Sequence, residues 1–147
     1  ILIDDGKQRE ILRKKIYQSN NKNLLLDEKL ISKSSLKYLF KKSGIIIQKS
    51  VLISSNVKIN EGVKIHIGSQ IHHGVSIDKY STISPASIIL GNVKIGRYSF
   101  IGANSTVKQK IKIGNHCVIG AGAVVVRDVK DGETVVGNPA TKINYKK

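Results

Sequence analysis

The sequence predicts a mostly β fold in which residues 45–130 form a coil of short strands. Two observations lead to this prediction. A branched aliphatic residue occurs at every sixth position from Ile47 to Val125 without interruption. A second column, four residues after each of these, holds mostly smaller side chains and runs from Val51 to Val129. A period of six is neither that of a helix nor that of a single strand, so each hexad is expected to supply one short strand of a repeating structure.

The two columns also predict how the coil is stabilised. Side chains of both columns are expected to point inward, with large and small ones alternating around a narrow interior. One hexad alone cannot bury its inward residues, whereas stacked coils bury a continuous column. The single cysteine of the sequence, Cys117, belongs to the small column. This place predicts a packed thiol rather than a nucleophile, and one cysteine cannot form an internal disulfide.

This pattern resembles the hexapeptide-repeat family over residues 45–129. The resemblance implies a single-stranded left-handed β-helix with a triangular cross-section, in which three hexads make one coil of eighteen residues. Most enzymes of this family transfer acyl groups from coenzyme A or acyl carrier protein. Because one fold serves many functions, the resemblance in fold does not by itself identify the reaction.

The segments on either side of the repeats lack the period of six. Residues 1–44 are expected to form a partial α/β substrate-binding region, with short apolar strands and two amphipathic helices, the second ending at Gly44. Residues 131–147 are expected to form a C-terminal cap and tail, because Asp131 stands where an aliphatic anchor is due and turn residues follow. The absence of methionine predicts that the chain is part of a longer protein.

Composition limits the classes of function. No apolar run approaches the length that spans a bilayer and no signal-peptide pattern is present, which predicts a cytoplasmic protein without a membrane span. The formal net charge is +15, yet the lysines are spread over outward hexad positions and aromatic residues are few. That distribution argues against a nucleic-acid partner and favours a phosphate-bearing small molecule such as coenzyme A.

The four histidines are candidates for acid–base chemistry near neutral pH. His66, His72 and His116 stand on outward positions that are typical of surface histidines. His73 differs, because Gly91 follows eighteen residues later, which is one coil further along at the same corner. The Gly91 amide is therefore expected to face the His73 imidazole. The histidine spacing does not match the three zinc ligands of γ-class carbonic anhydrases, so no metal is expected.

Residues 71–96, IHHGVSIDKYSTISPASIILGNVKIG, resemble one branch of the family. This branch contains acetyltransferases of surface-sugar biosynthesis, including UDP-4-amino-sugar N-acetyltransferases and sialic acid O-acetyltransferases. The resemblance implies that His73 is the general base toward the acceptor and that the Gly91 amide binds the thioester carbonyl of acetyl-CoA. A donor already aimed at the developing oxyanion stabilises the transition state without reorganisation.

Two positions depart from the pattern of this branch. An acidic residue that orients the base often follows the histidine, and this chain has Gly74 there instead. A weaker base, or a base oriented by another group such as Asp78, is expected in consequence. A second histidine often lies near the acetyl group of the bound cofactor, where this chain has Thr82, whose hydroxyl can donate a hydrogen bond.

The resemblance also implies where the donor binds. Ala103 and Ala121 are eighteen residues apart and match positions whose main-chain atoms contact coenzyme A along a corner of the prism. Small residues suit a tight corner equally well without any ligand. Residues 137–140, GNPA, are a further hallmark of the family. Family members place the acyl-donor site between adjacent prisms, which predicts a homotrimer.

The predicted function is therefore transfer of an acetyl group from acetyl-CoA to the amino group of a nucleotide-activated amino sugar, in surface polysaccharide or glycan biosynthesis. The transfer is expected to be direct, with His73 as the base. An O-acetyltransferase acting on sialic acid or on a small acceptor such as serine is the alternative, as is an inactive structural remnant. Histidine chemistry serves N- and O-acetylation alike, so the sequence leaves this choice open.

Overall fold

The computed structural model describes residues 44–144, which form sixteen short strands and no helix. The strands lie in three stacks that we call faces A, B and C. Face A contains β2 (Leu52–Ile53), β5 (Gln70–Ile71), β8 (Ile88–Ile89), β11 (Thr106–Val107) and β14 (Val124–Val125). Face B contains β1 (Ile46–Ile47), β4 (Lys64–Ile65), β7 (Thr82–Ile83), β10 (Phe100–Ile101), β13 (Val118–Ile119), β15 (Thr134–Val136) and β16 (Thr141–Ile143). Face C contains β3 (Lys58–Ile59), β6 (Ser76–Ile77), β9 (Lys94–Ile95) and β12 (Lys112–Ile113).

Apart from β15 and β16, neighbouring strands in each face pair in parallel, and they are eighteen residues apart along most of the coil. Ile83 thus pairs with Ile65 on one side and with Ile101 on the other. The chain visits faces B, A and C in turn, so three hexads close one coil. The predicted left-handed β-helix with eighteen residues per coil is confirmed. A residue therefore lies directly below the residue eighteen positions later, where "above" means toward the C-terminal coils.

The two sequence columns form the core. Every aliphatic anchor of the six-residue column is 3% exposed or less. Buried serines of the small column donate hydrogen bonds to main-chain carbonyls, as Ser99 Oγ does to Gly114 O at 2.7 Å. Cys117 lies directly above Ser99, with its Sγ 3.0 Å from Lys130 O. Burial raises the pKa of the Cys117 thiol, which disfavours the reactive thiolate and agrees with the packing role predicted for this residue.

Three corners join the faces. Residues 72–74 form an A-to-C corner, residues 78–80 a C-to-B corner and residues 84–86 a B-to-A corner, and the same corners recur in each coil. The last residue of most corners has a positive φ, such as +68° at Gly74 and +62° at Asn92. Glycine and asparagine adopt this left-handed conformation more readily than most residues, which explains their frequency at the corners.

The β-helix continues past residue 130, beyond the boundary predicted from the hexad register. The last A-to-C corner is two residues shorter than the others, so Val129 pairs with Ile113 only sixteen residues earlier. The period of six then resumes, and Val135 of β15 pairs with Ile119. Val129 thus supplies the anchor that was due at Asp131, and the prediction that the coil ends there is wrong.

The segment after this corner both extends the coil and closes it. β16 runs antiparallel to β15, with Val135 opposite Lys142. Asp131 accepts hydrogen bonds from Asn115 N and Asn115 Nδ2, both at 2.9 Å. Both hydrogen bonds lower the pKa of the Asp131 carboxyl, and the one from the Asn115 side chain has the larger effect. The carboxylate therefore stabilises this end of the coil at neutral pH, and its contribution is lost as the pH falls through the lowered pKa.

Some of the sequence predictions concern residues outside this region. The α/β substrate-binding region predicted for residues 1–44, apart from Gly44, and the last three residues of the tail lie outside the described residues. Within residues 44–144 no helix is long and apolar enough to cross a membrane. The repeats and their cap are the parts of the chain that position the candidate site.

Candidate active site

His73 and Gly91 meet at the A-to-C corner, one coil apart. The His73 side chain is exposed, whereas Gly91 is buried. A methyl group added to Gly91 would lie 2.6 Å from both Nε2 and Cε1 of His73. Asn92 N donates to His73 O at 2.9 Å, which fixes the register of the two coils at this point. A side chain at position 91 would occupy the space of the imidazole, so glycine is what allows the His73 ring to lie there.

The amide of Gly91 is available to a ligand. The second residue of a corner has an N–H that the backbone ladder of the β-helix does not use, and side-chain acceptors often take it up. Such pairs are Ile67 N to Gln48 Oε1, Lys79 N to Asp78 Oδ1 and Arg97 N to Asn115 Oδ1. Gly91 N donates to no acceptor among residues 44–144. A buried amide without an acceptor, beside an imidazole, suits a carbonyl oxygen that gains negative charge.

Asp78 does not orient His73. It lies at the C-to-B corner, separated from His73 by β6, and accepts hydrogen bonds from Asn60 Nδ2 and Lys79 N, each at 2.8 Å. The space that a side chain at Gly74 would fill is taken by Asn92, whose Oδ1 approaches the position of a Cβ there. No side chain among residues 44–144 forms a hydrogen bond with the His73 imidazole. Within this part of the chain, packing against Gly91 is what orients the ring.

Thr82 does not join this pair within one chain. It follows His73 by nine residues, which is half a coil, and therefore lies in β7 on face B, opposite the A-to-C corner. Its register partners are Lys64 and Phe100, and it is 1% exposed. A ligand held between His73 and Gly91 is thus out of reach of the Thr82 hydroxyl of the same chain.

Ala103 and Ala121 stack at the B-to-A corner, as their spacing predicts. Gly122 N donates to Ala103 O at 2.8 Å. Gly102 provides the space for this approach, since a methyl group there would lie 2.5 Å from Ala121 N. The amides of both alanines, like that of Gly91, donate to no acceptor among the described residues. Face A separates this corner from the corner that carries His73.

An aromatic stack that the sequence analysis did not predict lies at the C-to-B corner. The rings of Tyr80, Tyr98 and His116 lie one above another, with centroids 5.6 Å and 5.0 Å apart. Gly62 leaves room for the lowest ring, because a Cβ at Gly62 would meet Tyr80. The three stacked residues are eighteen positions apart, as His73 and Gly91 are. This spacing would therefore have predicted the stack. His116 is therefore a stacking residue and not an isolated surface histidine.

No candidate metal centre appears in the part of the chain that the structure describes. There, no three His, Cys, Asp or Glu side chains come together as they would around a metal ion. His73 and Gly91 bring together an imidazole and a main-chain amide that has no acceptor among the described residues.

Comparison with known proteins agrees with this fold. Residues 92–127 match the family model of the bacterial transferase hexapeptide (six repeats). A GDP-perosamine N-acetyltransferase from Caulobacter crescentus, solved as a variant with CoA and GDP-perosamine, is 25% identical, with a TM-score of 0.87. The match covers 97% of this chain and 67% of that chain. The chain resembles the hexapeptide-repeat acyltransferases.

Other solved structures extend this resemblance. The acetyltransferase domain of PglB from Neisseria gonorrhoeae is 25% identical, with a TM-score of 0.79, and the match covers 96% of this chain and 68% of that chain. The N-acyltransferase AntD from Bacillus cereus is 19% identical, with a TM-score of 0.68 over 72% of this chain and 71% of that chain, and shows the fold alone. No curated protein sequence is similar enough to match. The resemblance predicted from the hexads is confirmed.

Proposed function

We propose that this protein is an acetyltransferase that moves the acetyl group of acetyl-CoA to the amino group of a nucleotide-activated amino sugar. The observation that carries the proposal is the His73 imidazole packed against Gly91, whose amide has no acceptor among the described residues. The acetyltransferase class and the acetyl-CoA donor agree with the neighbours. The Caulobacter enzyme was solved with CoA and its sugar nucleotide, and the PglB domain with acetyl coenzyme A.

The geometry suits direct transfer. The acceptor nitrogen attacks the thioester carbonyl carbon, and His73 takes the proton that this nitrogen loses. The carbonyl oxygen becomes an oxyanion and accepts a hydrogen bond from Gly91 N, a contact that strengthens as charge develops. The carbon–sulfur bond then breaks, and the proton held by His73 passes to the departing thiolate of CoA. No residue of this site is required to form a covalent intermediate.

The two candidate donor-binding corners need more than one copy of the chain. His73 and Gly91 lie at the A-to-C corner, whereas Ala103 and Ala121 lie across face A at the B-to-A corner. We propose a homotrimer in which the A-to-C corner of one copy faces the B-to-A corner of the next. One acetyl-CoA molecule then reaches the imidazole of one copy and the amides of Ala103 and Ala121 of its neighbour, which have no acceptor among the described residues.

The outward rows of the faces support this assembly. The row of face A carries no charge and consists of Leu52, Gln70, Ile88, Thr106 and Val124. Three of the four outward residues of face C are lysines: Lys58, Lys94 and Lys112. An uncharged face is the better interface between copies, since desolvating lysines is costly. Sedimentation equilibrium is expected to give three times the monomer mass, and a stable monomer with full activity would contradict the assembly.

Turnover of candidate acceptors tests the proposed function. We expect release of CoA thiol from acetyl-CoA to depend on an amino-sugar nucleotide, with uridine- and guanosine-linked sugars both assayed. With an acceptor of this kind, we propose that the reaction belongs to glycan biosynthesis in the cytoplasm. Sialic acid and serine serve as competing acceptors. Acetylation of either one, with no turnover of any amino-sugar nucleotide, would overturn the proposal in favour of O-acetylation.

A further inference from the structure

Two side chains exchange places between neighbouring coils at the A-to-C corner. The imidazole of His73 extends up to Gly91, where an added methyl group would lie 2.6 Å from Nε2. The side chain of Asn92 turns down over Gly74, where an added Cβ would lie 3.2 Å from Asn92 Cγ and 3.8 Å from its Cα. Each glycine therefore leaves room for the side chain from the other coil. We call His73, Gly74, Gly91 and Asn92 the crossed corner.

Glycine occurs at this corner only where the exchange needs it. From residue 54 to residue 110, the middle position of the corner carries Ser55, His73, Gly91 and Gln109, and the last position carries Asn56, Gly74, Asn92 and Lys110. All four residues of the last position except Gly74 adopt the left-handed conformation with a side chain present. That conformation by itself therefore does not require glycine at position 74. The missing Cβ of Gly74 leaves room that Asn92 fills.

The backbone holds Asn92 in this position. Asn92 N donates to His73 O at 2.9 Å, and Asn92 has a φ of +62°, which asparagine adopts more readily than most residues. The residue is exposed, and its carboxamide forms no hydrogen bond with residues 44–144. The carboxamide is therefore not needed to hold the coils together, yet it stands beside the proposed base.

The exposed imidazole of His73 has more than one position open to it. Side chains occupy staggered positions about χ1, and no side chain among residues 44–144 forms a hydrogen bond with this ring. Contact with Gly91 favours one of these positions. A ring turned toward face C would instead lie over Gly74, in the space that Asn92 occupies. Asn92 thus removes a competing position of the ring.

We propose that Asn92 is a positioning residue that keeps the imidazole of His73 beside the Gly91 amide. This inference rests on the proposed function, in which His73 is the base. The acidic residue that often follows the histidine in similar enzymes is absent, because this chain has Gly74 there. A side chain from the next coil takes up its place, so the base is held by packing rather than by a carboxylate.

Asn92→Gly tests the inference without backbone strain. Glycine adopts a positive φ freely, so this variant loses the side chain and keeps the backbone. With two or three χ1 positions open to the ring, we expect kcat to fall about three- to tenfold while the KM for acetyl-CoA stays unchanged. Asn56→Gly is the matched control, because Asn56 has a φ of +57° at the same corner two coils lower. The control is expected to keep both constants within about twofold of the wild type.

Two further variants separate positioning of the base from a structural role. Asn92→Asp keeps the size of the side chain, so kcat at the optimal pH is expected to stay close to that of the wild type. The new carboxylate favours the protonated imidazole, so the acid limb of the pH–rate profile is expected to move to higher pH. The other ionisable groups of this corner in the same coil and the next two, His72, Lys108 and Lys110, are unchanged. In the His73→Ala background, Asn92→Gly is expected to lower the rate no further, because it acts through the base.

A crystal structure of Asn92→Gly without ligands gives a result that does not depend on activity. We expect the His73 ring to lie away from Gly91 or in two positions. A ring that stays beside Gly91 in one position overturns the inference and leaves the proposed function standing, as does a kcat equal to that of the wild type. A further loss of rate in the His73→Ala background also overturns it, since Asn92 would then act on the acceptor. If the ring moves in the variant but the wild type acetylates no acceptor, the proposed function is wrong and positioning by Asn92 stands.

Discussion

We expect His73→Ala to lower kcat for acetyl transfer by a factor of about 10² to 10⁴, the usual contribution of a positioned general base. The KM for acetyl-CoA is expected to change little, because the Gly91 amide and the alanine amides at Ala103 and Ala121 remain in place. The side chain is exposed and makes no hydrogen bond with residues 44–144, so its loss leaves the core intact. Steady-state kinetics of the purified variant measure both constants.

Two further measurements distinguish catalysis by His73 from a structural role. His72→Ala removes the neighbouring imidazole of the same corner and is expected to keep the rate of the wild type within a small factor. Free imidazole added to His73→Ala is expected to restore part of the rate, because the vacated space lies beside Gly91. Equal losses in His72→Ala and His73→Ala, without rescue of either, would rule out His73 as the base.

Gly91→Ala is expected to reduce kcat by a factor of about 10² to 10⁴, as loss of the general base does, because alanine keeps the main-chain amide while its methyl group displaces the imidazole. The added methyl group would lie 2.6 Å from His73 Nε2, so the imidazole must swing away and the base leaves the site. The ring stands at the end of an exposed side chain, so this movement is inexpensive for the fold. Thermal unfolding is therefore expected to show a Tm close to that of the wild type while activity is lost.

A double variant gives the sharper result for Gly91. If alanine at position 91 acts by displacing the imidazole, adding Gly91→Ala to His73→Ala removes little further activity. Strong non-additivity of this kind is typical of residues that act as a unit. Losses that multiply in the double variant would instead mean that the two residues act independently, which the contact between them does not allow.

The core of the fold was predictable because it depends on spacing alone. Anchors such as Ile65, Ile83 and Ile101 follow from a period of six, and the coil of eighteen follows from three such hexads. The end of the coil was not predictable in this way. The last A-to-C corner is two residues shorter than the others, which moves Val129 from the small column into the anchor column. Valine suits both columns. The sequence pattern therefore looks unbroken where the structure changes register.

The candidate site was predictable where residues are whole coils apart. His73 and Gly91, like Ala103 and Ala121, are eighteen residues apart and meet as expected. Thr82 is nine residues from His73, which is half a coil. The coil of eighteen residues therefore also predicts that Thr82 lies on the face opposite the corner of His73. That Gly91 N has no acceptor among residues 44–144 could not be foreseen, because this depends on which neighbouring side chains turn toward each corner.

A crystal structure of the protein with CoA is the most direct test of the site at His73 and Gly91. The proposal predicts that the CoA sulfur lies at the A-to-C corner beside His73 Nε2, with Gly91 N directed at the position that the thioester carbonyl oxygen takes in acetyl-CoA. Ala103 and Ala121 of a neighbouring copy are expected to lie along the pantetheine arm. CoA bound at another corner, with the Gly91 amide left without a partner, would contradict it.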